Sequence, residues 1–302
     1  MACSHLGWKT MNHPVRRAEN APRQLSIGCE IGGAACRVAV HEWGRPDAER
    51  VVLCLHALNR NGRDFDFLAR ALAADRRVLC PDLPGRGDSD RLADPADYNH
   101  QTYLRVLHAL ADSAGLRDRP VDIIGTSLGG ILGMMYAAMH PDAVRGLVLN
   151  DVGTVTAGEV FLKAARSIQR EVRFRSLEQA VLTFKIMTAS CGPLSDAQWR
   201  AVSDHMIEPD GAGGYTLRYD TRIAEQLLRD AGADLDLWHW YERIRARVLL
   251  VRGANSDVLT EENACAMAAR GPRAERYTVA GTGHFPMLVK QDEINAVKHF
   301  LG

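Results

Sequence analysis

The stretch Val121-Asp-Ile-Ile-Gly-Thr-Ser-Leu-Gly-Gly130 constrains the fold more than any other part of the chain. An apolar run with β-branched residues reads as a buried strand, and residues 128–139 form an apolar, proline-free segment rich in small side chains that reads as a helix. The chain therefore has to turn sharply inside Gly125-Thr-Ser-Leu-Gly129. So tight a turn brings strand and helix backbones close together, and glycines two residues before and two after Ser127 remove the Cβ atoms that would clash. It also holds Ser127 in a strained conformation with its hydroxyl exposed. The amide of Leu128 then points from a helix N-terminus, where the helix dipole favours negative charge.

Around this turn, short apolar runs at 37–41, 51–55, 77–80, 121–124, 147–150, 248–251 and 277–279 alternate with amphipathic segments such as 64–74 and 101–114. That alternation predicts an α/β protein with a largely parallel sheet and helices on both faces. One region departs from it. Residues 155–240 show no convincing strand and read as several helices separated by Gly192-Pro193 and by Asp210-Gly-Ala-Gly-Gly214. A helical insertion of this kind belongs over the carboxyl edge of the sheet, where open α/β folds bind ligands. The expected organisation is a loose polar tail over 1–25, a core over 26–154 and 241–302, and a lid over 155–240.

Charge excludes several classes of function. The 37 Lys and Arg balance 37 Asp and Glu, and 46% of the 302 residues are apolar, a composition that attracts neither nucleic acid nor an anionic membrane. No window approaches the roughly 18 uninterrupted apolar residues of a membrane span. The first 24 residues carry Arg16, Arg17 and Arg23 but no apolar signal-peptide core, so a cytoplasmic protein is expected. Seven cysteines without a C-x-x-C pair read as free thiols in a reducing compartment. Neither metal nor cofactor is expected, because zinc-ligand spacings, the phosphate loop and G-x-G-x-x-G after a strand are all missing.

A serine hydroxyl is a poor nucleophile near neutral pH, so Ser127 calls for a histidine base and a carboxylate to orient it. His284 ends the glycine-flanked loop Ala280-Gly-Thr-Gly-His284, and Asp257 ends the loop after the run at 248–251. Asp151, which closes the run at 147–150, is the rival carboxylate. Among the other histidines, His56 ends a strand and shapes a loop; the rest read as surface or core residues. A second donor to a developing oxyanion is expected from the loop His56-Ala-Leu-Asn-Arg60, through the amide of Leu58.

Together these residues resemble the α/β-hydrolase fold family, in particular its lidded serine esterases. The likeness extends over residues 26–302 and includes Pro81-Asp-Leu-Pro-Gly-Arg-Gly-Asp-Ser89, similar to the family's D-x-x-G-x-G-x-S loop. Ala57 departs from the family's common His-Gly-x. The resemblance implies an eight-stranded, mostly parallel sheet with the lid after the sixth strand. It implies an acyl-enzyme mechanism with Ser127, Asp257 and His284 as catalytic residues and the Leu58 and Leu128 amides as oxyanion donors. His56-Ala-Leu-Asn-Arg-Asn-Gly-Arg-Asp-Phe-Asp66 is similar to a bacterial subgroup acting on 3-hydroxyalkanoate esters and oligomers, so a small or oligomeric ester is the expected partner. A carbon-carbon bond hydrolase using the same three residues, or a non-catalytic binding module, are the alternative readings.

Within the lid, Phe161, Ile168, Phe184, Ile186, Met187, Trp199 and Met206 are candidates for an acyl pocket or for plain core. Lys163, Arg166, Arg170 and Arg173 have the spacing of one helix face, either solvated or facing a substrate carboxylate.

Overall fold

The computed structural model describes residues 9–10, 21–117, 119–229 and 232–302. Its eight principal strands are β1 (Arg23–Ile31), β2 (Ala34–Trp43), β3 (Arg50–Leu55), β4 (Arg76–Pro81), β5 (Val121–Thr126), β6 (Val144–Asn150), β7 (Arg247–Gly253) and β8 (Glu275–Val279). They lie in the order β1-β2-β4-β3-β5-β6-β7-β8, and the two residues Lys9–Thr10 add a ninth strand at the β1 edge. The β1–β2 hairpin turns on Gly32 and Gly33, at φ 58° and 80°, the left-handed pair that a two-residue hairpin loop requires. From β4 to β8 every pairing is parallel.

Parallel strands must be covered on both faces, and their alternating residues divide accordingly. Leu53, Leu55, Ile123, Leu147 and Leu149 pack with helices α2 (His100–Ser113) and α3 (Leu128–Met139). Val52, Cys54, Ile124, Val148 and Val251 pack on the opposite face, with α1 (Asp66–Leu72) and α10 (Gln291–Leu301). The central strand β5 is buried along its whole length. This pins the elbow that follows it.

Between β6 and β7 the chain forms α4 (Gly158–Ile168), α5 (Leu177–Met187), α6 (Asp196–Asp204), α7 (Ile223–Arg229) and α8 (Trp238–Tyr241); α9 (Glu261–Ala269) follows β7. The insertion is not purely helical. Ile207–Pro209, Tyr215–Leu217 and Arg173–Phe174 form a small antiparallel sheet, and Val155–Thr156 pairs with Leu235–Asp236. Strands of two or three residues are too short to leave a period-two pattern in the sequence. The expected basic helix face is also shorter than its spacing suggested, because α4 stops at Ile168 and Arg173 lies in a strand. All four of its basic residues are exposed.

Strand β1 begins inside the segment read as a tail, while residues 1–8 and 11–20 lie outside the described residues. Cys29, Cys36, Cys54, Cys80, Cys191 and Cys265 are free thiols; Cys3 lies outside the described residues.

Candidate active site

Ser127 sits between β5 and α3 at φ 50° and ψ −114°, a conformation that costs a non-glycine residue about 1–3 kcal/mol and persists only where its surroundings enforce it. The surroundings are specific. The Ser127 amide donates to the Asn150 carbonyl at 3.1 Å, tying the turn to β6. A Cβ on Gly125 would collide with the Gly129 carbonyl, and one on Gly129 with the carbonyl of Leu55 in β3. Both glycines are thus required by close approach of backbone to backbone, as the sequence predicted. Leu128 opens α3, so its amide is one of the first-turn donors with no acceptor inside the helix.

His284 Nε2 lies 3.2 Å from Ser127 Oγ, and His284 Nδ1 lies 2.7 Å from Asp151 Oδ2. The tautomer that serves both contacts donates its Nδ1–H to the carboxylate and accepts the serine proton at Nε2. Ser127 and His284 are partly exposed, whereas Asp151 is fully buried. Such a chain of groups moves a proton from hydroxyl to imidazole and holds the resulting positive charge against a buried carboxylate.

The carboxylate on His284 is therefore Asp151 and not Asp257. Asp257 is 70% exposed, and its nearest charge is Lys163 Nζ of α4, at 3.8 Å. The loop after β7 turns its serine inward instead. Ser256 Oγ donates to Asp151 Oδ2 at 2.6 Å and accepts from the Val258 and Leu259 amides, while the Gly253 amide donates to Asp151 Oδ1 at 2.9 Å. Asp151, at φ 54°, is itself held at its position by its backbone N–H, which donates to the Val251 carbonyl at 2.8 Å. Chain order cannot separate the two acids, because both fall between the serine and the histidine. No sequence signal marked Ser256.

Leu58 lies half-buried in the loop after β3, and this loop is held from two sides. His56 Nδ1 donates to the Ala57 carbonyl at 2.7 Å, and His56 Nε2 accepts from the Leu83 amide at 2.9 Å. Burial pushes the His56 imidazolium down to about 4, so the ring is neutral near pH 7. The reading of His56 as a loop-shaping residue matches these contacts. Arg86 Nε donates to the Leu58 carbonyl at 2.8 Å.

Among the described residues, His41, Asp82 and Asp88 are spaced as a metal-binding group would be. Their ligand atoms are already engaged. Asp82 accepts from His41, the Gly62 amide and the Asp88 amide, and Asp88 accepts from Gln24 and Arg218. These bonds fix the turn between β4 and the loop of Arg86.

Of the candidate pocket residues, Ile168, Phe184 and Met206 belong to the main core cluster, Trp199 is buried, and Ile186 and Met187 are 70% and 55% exposed.

A model of the alpha/beta hydrolase family matches residues 52–297. The chain belongs to this family. The hydrolase is 36% identical to the 3-hydroxybutyrate-oligomer hydrolase of Cupriavidus necator over 288 residues, covering 93% of this chain and 98% of the relative. It is 32% identical to the pimeloyl-[acyl-carrier protein] methyl ester esterase of Neisseria meningitidis, over 80% of this chain and 90% of that one. The crystal structure of an alpha/beta hydrolase from Novosphingobium aromaticivorans superimposes with a TM-score of 0.82 at 32% identity, covering 91% of this chain and 97% of that one.

Proposed function

We propose that this alpha/beta hydrolase is a serine carboxylic-ester hydrolase whose substrates are oligomers or esters of 3-hydroxyalkanoic acids. The observation that carries the chemistry is the unbroken contact from Ser127 Oγ through His284 to the buried Asp151. What points to the substrate is the 36% likeness, over nearly the whole of both chains, to a 3-hydroxybutyrate-oligomer hydrolase.

In the proposed mechanism, His284 Nε2 takes the Ser127 proton as Oγ attacks the ester carbonyl. The carbonyl π pair moves onto oxygen, and the Leu58 and Leu128 amides hold the oxyanion. Collapse of the tetrahedral adduct expels the alcohol half, which receives the proton from His284 and leaves an acyl-Ser127. Water then attacks with the same imidazole as base, and the acid is released. Asp151 keeps the imidazole in the required tautomer and stabilises its cationic form throughout.

We read the insertion as a lid over this site. Two contacts support that reading. Cys191 Sγ donates to the His284 carbonyl at 3.4 Å, and Asn61 Nδ2, next to the Leu58 loop, donates to the His205 carbonyl at 2.7 Å. No helix among the described residues is long and apolar enough to cross a membrane, and the free thiols agree with a cytoplasmic location.

The test is the initial rate on p-nitrophenyl esters of increasing acyl length and on 3-hydroxybutyrate dimer and trimer, with Ser127→Ala in parallel. Turnover of the dimer and trimer that falls by about 10⁶ in the variant is expected. Turnover of a meta-cleavage dienone with no turnover of any ester would replace this reading with carbon-carbon bond hydrolysis.

A further inference from the structure

Arg86 occupies the turn Pro84-Gly-Arg-Gly87 after β4 and is only 1% exposed. The backbone drives it inward. Gly85 and Gly87 flank it at φ +80° and +54°; a Cβ on the first would run into the Tyr98 ring and one on the second into the Asp82 carboxylate. The insertion closes the turn from outside, with the Gly87 amide bonded to the Arg218 carbonyl at 3.0 Å and the Asp220 amide to the Gly85 carbonyl at 2.7 Å.

Inside, the guanidinium's hydrogen-bond acceptors among the described residues are all neutral. Nε donates to the Leu58 carbonyl at 2.8 Å, and Nη1 donates to the Pro84 carbonyl at 2.7 Å and to Tyr103 Oη at 2.6 Å. The charge stands 5.7 Å and 5.0 Å from the Tyr98 and Tyr103 ring centres, a distance at which ring faces attract cations. Nη2 is buried without a hydrogen-bond partner among the described residues. Neutral donors would satisfy these acceptors without the desolvation that a buried cation suffers. A fixed positive charge earns its place where negative charge develops during a reaction.

We propose that Arg86 is a positioning residue for the oxyanion-binding loop, fixing the Leu58 carbonyl and adding a buried positive charge that the developing oxyanion feels. This rests on the acyl-transfer reading above, with the Leu58 amide as an oxyanion donor. The amide belongs to the peptide whose carbonyl, that of Ala57, is held by His56, while Arg86 holds the next carbonyl along. The donor is thus gripped on both sides. The charge of Arg86 acts through the loop and does not touch the substrate.

The experiment compares wild type, Ser127→Ala and Arg86→Met in the full chain. In Arg86→Met, kcat is expected to fall about tenfold to a hundredfold, somewhat less than removal of a direct oxyanion donor costs, with KM changed less than about threefold. An aryl trifluoromethyl ketone, whose adduct with Ser127 carries an oxyanion, should lose affinity by the same factor as kcat. A methyl ketone of the same shape should bind as before. An unchanged kcat, or equal weakening of both ketones, overturns the proposal. If Arg86→Met does not fold, Arg86→Lys and Arg86→Gln carry the test: the charged variant is expected to keep the higher kcat, and equal rates or the reverse order overturn it. Full activity in Ser127→Ala would overturn the acyl-transfer reading itself. A dead Ser127→Ala beside normal Arg86 variants would overturn this inference alone.

Discussion

At the scale of single residues, the two aspartates separate by environment and not by position in the chain. Asp151 is fully buried, shares Oδ2 between His284 and Ser256, and has Oδ1 bonded to the Gly253 amide. Asp257 faces solvent beside Lys163. Asp151→Asn should therefore lower kcat by about 10⁴, as expected when the imidazole is no longer held in its working tautomer, whereas Asp257→Asn should stay within about twofold. Steady-state kinetics on one ester decides between them, and a dead Asp257→Asn with an active Asp151→Asn would reverse the assignment. His56 offers a second prediction at this scale. Burial lowers its folded value to about 4 against an ordinary 6.5, so the unfolded chain binds the proton first as pH falls. Stability present above pH 6.5 is then lost on the way down to about pH 4, by about 3 kcal/mol for a shift of this size. Urea unfolding at pH 7, 5.5 and 4.5 should show that slope, and His56→Asn should flatten it. Asp82 adds a lower limb. Burial alone would raise its carboxyl, but the His41 ring and the Asp88 amide bring it down to about 2, so its contribution persists above its ordinary 3.8 and disappears below.

At the scale of elements, the elbow depends on how closely α3 approaches β3 and β5. The helix is apolar nearly all round and is buried along almost its whole length, so it cannot move outward to relieve a clash without exposing a core face. Gly129→Ala puts a methyl group into the Leu55 carbonyl. Overpacking against backbone is not relieved by a rotamer change, so a loss of about 3 kcal/mol is expected. A thermal melt of this variant that matched wild type would show that the helix can shift. Gly125 and Gly129 were legible in the sequence because their spacing around Ser127 encodes this contact. The short strands of the insertion were not, since two or three residues carry no period.

At the scale of the whole molecule, the insertion is part of the core as well as the proposed lid. Ile168, Phe174, Phe184, Met206 and Tyr219 join the same apolar cluster as the sheet residues Leu53 and Ile123. Its backbone also braces the Arg86 turn and the His284 loop, the latter through the Gly283 amide and the Ser190 carbonyl. Replacing residues 157–234 by a short Gly-Ser linker should therefore abolish both ester turnover and the cooperative unfolding transition. A sharp calorimetric transition in the shortened chain would show instead that the core folds alone.

The sequence by itself determined the alternation of strands and helices, the position of the Ser127 turn, the loop that ends in His284 and the loop that carries Leu58. Each of these is written locally, in hydrophobic period or in glycines flanking a serine or a histidine. The carboxylate partner, the inward turn of Ser256 and the burial of Arg86 were decided only by tertiary structure. They depend on which strand ends lie side by side: the order β5-β6-β7 places Asp151 between the serine turn and the β7 loop, bringing together residues more than a hundred positions apart. A residue's identity shows that it can bear charge, and its neighbours in space fix what that charge does.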